Sequence, residues 1–221
     1  MLLEICASSF NCAQAALKGG ADRIELCDDL SIGGITPNSS LISKVINELD
    51  IETHVLIRAR GGNFCYSDEE IERMLGDILE AKNAGAKGVV FGALTSDNNL
   101  DISAITKMSK AAQGMDYSFH KAFDELHNPE TAFKELINLG FTRVLTSGRK
   151  ATALEGLPHL IQWQKNYGSE IEIMPGGRIR PNNITRFVGH DFRSVHSAAI
   201  PSAATETDPQ VVAIIKQSIA D

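Results

Sequence analysis

Along this chain short apolar runs rich in Val and Ile alternate with longer segments whose apolar positions recur at helical period. Strands are expected at Leu2–Ala7, Arg23–Cys27, Thr53–Arg58, Gly88–Ala93, Tyr117–Lys121, Arg143–Ser147, Glu170–Met174 and Ser194–Ser197. Helices are expected at Ser9–Lys18, Ser39–Leu49, Asp68–Ala84, Ile102–Ala112, Pro129–Leu139, Leu154–Tyr167, Pro181–Val188 and Pro209–Ala220. The helix ends carry their own punctuation. Ser67 and Glu70 have the spacing of a capping box. Asn128-Pro129 and Asp208-Pro209 each put a cap before a proline at the first helical position, where its missing N–H costs nothing. Gly19/Gly20, Gly85, Gly140 and Gly168 follow helices. One helix-to-strand joint recurs three times, at Gly20-Ala21-Asp22-Arg23, Gly85-Ala86-Lys87-Gly88 and Gly140-Phe141-Thr142-Arg143.

Eight βα units predict a parallel sheet covered by helices, and eight is the number that closes into a barrel. Residues 1–221 are therefore expected to form one compact (β/α)8 TIM-barrel domain of the α/β class. The rival, an open doubly wound sheet, would carry a GxGxxG motif after its first strand, and none is present.

Composition narrows the function. With 21 Lys+Arg against 28 Asp+Glu, the net charge is −7 and no basic run breaks it. Such a chain lacks the electrostatic footprint of a nucleic-acid binder, and aromatics at 6% offer few stacking platforms. No apolar run reaches the roughly 18 residues of a membrane span. The first residues carry no basic region of the kind that opens a secretory signal. The four cysteines, Cys6, Cys12, Cys27 and Cys65, form no CxxC and no disulfide scaffold, so a reduced, cytoplasmic setting is expected.

Strand periodicity then sorts side chains. If Leu3, Ile5, Ile24, Leu26, Val55, Ile57, Tyr117 and Phe119 pack on helices, then Glu4, Cys6, Glu25, Cys27, His54, Leu56, Arg58, Ser118 and His120 face the barrel interior. Ionised groups there need partners. One reading is a self-neutralising network with Arg58 between two glutamates. The other is a polar pocket with perturbed titration, in which Glu25 or His120 moves a proton, Arg58 grips an anion and Asp124 orients or assists. Cys6 and Cys27 end neighbouring strands on one inward face, close enough to share a soft ion such as Cu(I), or simply to pack as small apolar groups.

Three loops suit an anion. Arg58 and Arg60 flank a flexible Gly61-Gly62 backbone. Gly176-Gly177-Arg178 follows the seventh strand, and His196 ends the eighth. A Schiff-base lysine would have to point inward from a strand end, and by period Lys121 points outward. Cys12 is expected to pack, and His127, His159 and His190 to be ordinary surface residues.

Over essentially its whole length the chain resembles the copper homeostasis protein CutC family. The matching motifs are Glu4-Ile5-Cys6, Gly19 through Cys27, Gly33-Gly34-Ile35-Thr36-Pro37, Ile57 through Gly62 with Phe64-Cys65-Tyr66-Ser67, and Gly88 through Leu94. Further matches are His120-Lys121-Ala122-Phe123-Asp124, Leu145-Thr146-Ser147-Gly148 and Met174-Pro175-Gly176-Gly177. The chain departs most after His196, where Ser197-Ala198-Ala199 replaces the family's more polar run. The resemblance implies a cytoplasmic, often dimeric TIM barrel engaged in copper tolerance, with Cys6 and Cys27 as copper ligands. The alternative left open by the strand-end residues is an enzyme acting on a small phosphorylated or carboxylated metabolite by acid/base chemistry of the lyase, isomerase or hydrolase type. A homodimer is expected, and Trp163, off the apolar stripe of its helix, either packs on a neighbouring helix or stands partly exposed in the interface.

Overall fold

The computed structural model describes residues 1–202 and 204–220. Eight parallel strands follow one another around a barrel: β1 (Leu2–Ala7), β2 (Arg23–Leu26), β3 (Glu52–Leu56), β4 (Gly88–Phe91), β5 (Asp116–Phe119), β6 (Arg143–Thr146), β7 (Glu172–Pro175) and β8 (Ser194–Ser197). The paired order runs β7-β6-β5-β4-β3-β2-β1-β8. A lone parallel bridge between Gly176 and His196 brings the two ends of this sheet together.

Among the described residues seven α-helices cover the ring: α1 (Phe10–Lys18), α2 (Ser39–Glu48), α3 (Asp68–Ala84), α4 (Ile102–Ala111), α5 (Pro129–Asn138), α6 (Leu157–Tyr167) and α7 (Pro209–Ser218). The reciprocal capping box of Ser67 and Glu70 starts α3. The Asn128 side chain accepts from the Thr131 amide to start α5, with Pro129 in the first turn. The helix expected at Pro181–Val188 is instead a 3-10 turn at Ile184–Phe187. Its Asn183 makes no side-chain cap, and Gly189, at φ 83, lies two residues beyond it. So short and poorly capped a segment does not repay helix nucleation.

The period-two sorting of strand residues holds. Leu3, Ile5, Ile24, Leu26, Val55 and Ile57 belong to the large core under the helices. Cys6, Cys27, Leu56 and Val90 form a separate cluster inside the barrel. Toward the N-terminal ends of the strands lies an ionic layer. Arg23 Nε sits 2.5 Å from Glu4 Oε2, Arg143 Nε sits 2.9 Å from Glu172 Oε2, and Arg143 also donates to Ser118 Oγ. The partner of the buried glutamate is thus Arg23, not Arg58: Arg23 lies opposite Glu4 in the β1–β2 register, while Arg58 lies beyond the end of β3.

Trp163 is 4% exposed, which overturns the expectation of a partly exposed interface residue. Its ring stands 5.5 Å from both Phe123 and Phe133, and its Nε1–H donates to Glu130. The indole fills the gap between α5 and α6 with its polar end satisfied. Among the described residues no helix is long and apolar enough to cross a membrane.

Candidate functional site

The C-terminal ends of the strands open into a cavity of about 500 Å³, within the range of small-molecule sites. Cys6, Glu25 and His196 line its floor, Arg58, Phe64 and His120 a wall, and Lys121, Gly177, Arg178 and Arg180 also border it.

On the floor, Cys6 Sγ and Cys27 Sγ lie 3.4 Å apart as free thiols. Both are nearly inaccessible, at 5% and 0% exposure. The neighbouring Cys27 thiol, burial and the Glu25 charge together push the Cys6 pKa well above the ordinary thiol range. Donor atoms of Cys6, Glu25 and His196 all lie within 4.8 Å of one another. His196 Nδ1 is 2.8 Å from Glu4 Oε1, and its Nε2 is 3.7 Å from Glu25 Oε2. Burial opposes the imidazolium here, but the bond to Glu4 and the charges of Glu25 and Glu4 outweigh it, so the His196 pKa is raised. Burial, with the nearby Glu4 charge, raises the Glu25 carboxyl. For Glu4 the outcome reverses. Burial would raise it, but the Arg23 charge and the His196 bond hold it well below the carboxylate range.

On the wall, His120 is 4% exposed. Its Nδ1 accepts the Ala122 amide, and its Nε2 has no hydrogen-bond partner among the described residues. Burial first, and the Arg58 charge second, depress its pKa to about 3, so the ring is neutral at physiological pH. A neutral ring that accepts at Nδ1 carries its hydrogen on Nε2.

Several expected site residues are held by other work. Arg58 lines the cavity, but its guanidinium donates to the carbonyls of Ile32, Gly34 and Gly62 and lies 4.7 Å over the Phe64 ring. Arg60 is not among the lining residues. It is bound to Glu70 at 2.7 Å and to carbonyls of its own loop. Asp124 accepts from Thr146 Oγ1, from Ser147 N and Oγ, and from Arg149 N, which pins the loop after β6. Gly176 packs against Leu145 and His196, so closely that a Cβ there would stand 2.3 Å from Leu145 Cδ1. Gly177, at φ +121, borders the cavity. Lys121 turns toward the cavity rather than outward. Strand β5 ends at Phe119 and the chain enters a 3-10 turn at Lys121–Glu125, so the two-residue period no longer applies. Cys12 packs in the core and Cys65 is exposed.

The family model for the CutC family matches residues 1–201. The chain belongs to the CutC family. A human protein named copper homeostasis protein cutC homolog is 45% identical over 199 residues, covering 90% of this chain and 73% of its own. A CutC family protein of Pasteurella multocida is 42% identical over 188 residues, covering 85% and 77%. The CutC structure from Streptococcus agalactiae superposes with a TM-score of 0.85 at 33% identity, covering 90% of this chain and 98% of the other. A thiamine phosphate pyrophosphorylase from Pyrococcus furiosus, at 12% identity and a TM-score of 0.66, shares the barrel alone. Every residue of the cavity described above falls within the stretch that matches the CutC model.

Proposed function

We propose that this chain takes part in copper homeostasis by binding Cu(I) through Cys6 and Cys27. The observation that carries the reading is the pair of free sulfurs, 3.4 Å apart, Cys6 lining the cavity and Cys27 buried behind it. Soft thiolates favour Cu(I) over hard cations. Two metal–thiolate bonds of about 2.3 Å set on opposite sides of an ion would span about 4.6 Å. Sulfurs this close therefore hold a shared ion off the line between them, with a side open to a further donor, and Glu25 and His196 have donor atoms within 4.8 Å of Cys6 Sγ. Glu25, whose carboxyl is raised by burial, is the base placed to take the proton that Cys6 gives up on binding. The same reading expects a reducing, cytoplasmic setting, where the two thiols stay unpaired, and a homodimer, as the family resemblance implies.

The test is an anaerobic Cu(I) titration of the reduced protein against a chromophoric chelator, beside a Cys6→Ser/Cys27→Ser variant. One tight equivalent in the wild type and its loss in the variant are expected. Equal stoichiometry and affinity in the two proteins would sink the reading.

A further inference from the structure

A cavity of about 500 Å³ is far larger than a single ion requires. Its border is also of the wrong sign for a bare cation. Lys121 Nζ lies against Gly177, about where a Cβ would be 3.5 Å away. Arg178 and Arg180 follow on the same loop, the first exposed and the second half-buried. Neither has an ion-pair partner among the described residues, and the Arg180 guanidinium donates only to the Ile179 carbonyl, while Lys121 Nζ lies 3.7 Å from Asp124 Oδ2. Two guanidiniums two residues apart repel each other, and in a chain of net charge −7 acidic partners are not scarce. Their convergence on a cavity without a carboxylate between them is a cost that an anionic ligand relieves.

The second, independent observation is His120. His120 lines the same cavity, and its buried Nε2–H meets no acceptor among the described residues. An unmet buried donor costs on the order of 1–3 kcal/mol, which an oxygen placed in the cavity would recover. The Ala122 amide fixes the tautomer, so this donor is permanent rather than dependent on protonation.

We infer that the cavity is a binding site for a small organic anion, a phosphorylated or carboxylated metabolite, whose anionic group meets Arg178, Arg180 and Lys121 and whose further oxygen accepts from His120 Nε2–H. The site stands apart from copper binding, since none of these four residues is a thiol ligand.

The probe is 2-phosphoglycolate, which joins a phosphate to a carboxylate, with inorganic phosphate as the control. Both are titrated calorimetrically into the metal-free protein. Phosphoglycolate is expected to bind more tightly than phosphate. Arg178→Gln and Arg180→Gln are expected to weaken it at least about tenfold each, the loss of one charge-assisted contact. Because the titration uses the metal-free protein, its outcome is read independently of the Cu(I) titration that tests the copper reading. In the unmodified protein labelled with ¹⁵N-histidine, the His120 Nε2–H resonance is expected to shift on binding, a readout that needs no substitution in the barrel. Absence of binding by either probe at millimolar concentration overturns the inference. So does binding that ignores both arginine substitutions, or a His120 resonance that does not move.

Discussion

Glu4 Oε1 and His196 Nδ1 stand 2.8 Å apart, and this contact joins the first strand of the barrel to the last on its inner face. The same carboxylate holds Arg23 on its other oxygen. One side chain therefore serves both the buried ionic layer and the floor of the cavity.

The pair gives stability a dependence on pH. The folded-state pKa of His196 is raised, so its contribution is whole below about pH 6.5 and is lost as pH rises through the raised value. Glu4 is held low, so its contribution is whole above about pH 4.3 and is lost as pH falls through its depressed value. The link is strongest between those limits. In the metal-free protein His196→Gln is expected to cost about 1–3 kcal/mol near pH 5.5 and less near pH 9, as read by urea unfolding. A cost that grows with pH would contradict the assignment.

Trp163 is the only tryptophan, and it is buried between α5 and α6. Its emission is expected to be blue-shifted in the folded protein and to move red on unfolding. Trp163→Ala should cost about 3–5 kcal/mol, since it empties a ring-lined site and strips Glu130 of a donor. It should leave the sedimentation coefficient at micromolar concentration where the wild type has it. A variant that unfolds like the wild type yet sediments differently would put the residue back at an interface.

Copper binding should tighten with pH. Cys6 keeps its proton well above the ordinary thiol range, and a thiolate is what binds the metal. Titrations at about pH 6, 7 and 8 are expected to show affinity rising by up to about tenfold per unit for each proton released. Affinity flat across that range would mean that Cys6 is not deprotonated on binding.

Much of this molecule follows from periodicity alone. Alternation put Glu4, Cys6, Glu25, Cys27 and His120 on one side of their strands, and all five are buried. Reasoning failed where the period stops. Lys121 lies past the end of β5, so its direction is set by a 3-10 turn that no alternation rule describes. Arg60 was expected to meet an anion and Asp124 to orient or assist, but their partners, Glu70 and the loop after β6, are chosen by tertiary closure. The Arg23–Glu4 contact was within reach: both residues sit on inward positions, and only the register between β1 and β2 was lacking. His196 was placed at the end of its strand, but its bond to Glu4 spans 192 residues and depends on the ring closing.

That closure is uneven. Seven of the eight joints between neighbouring strands are regular ladders, and the eighth, between β7 and β8, rests on the bridge of Gly176 to His196. A ring with one soft joint concentrates its breathing there. Amide exchange in the metal-free protein is therefore expected to be fastest among the inner-strand amides at His196, whereas the Gly176 amide is held by the Thr146 carbonyl across the β6–β7 joint. Since His196 also borders the cavity, whatever fills that space should slow the exchange, which makes the seam a gauge of occupancy built into the backbone itself.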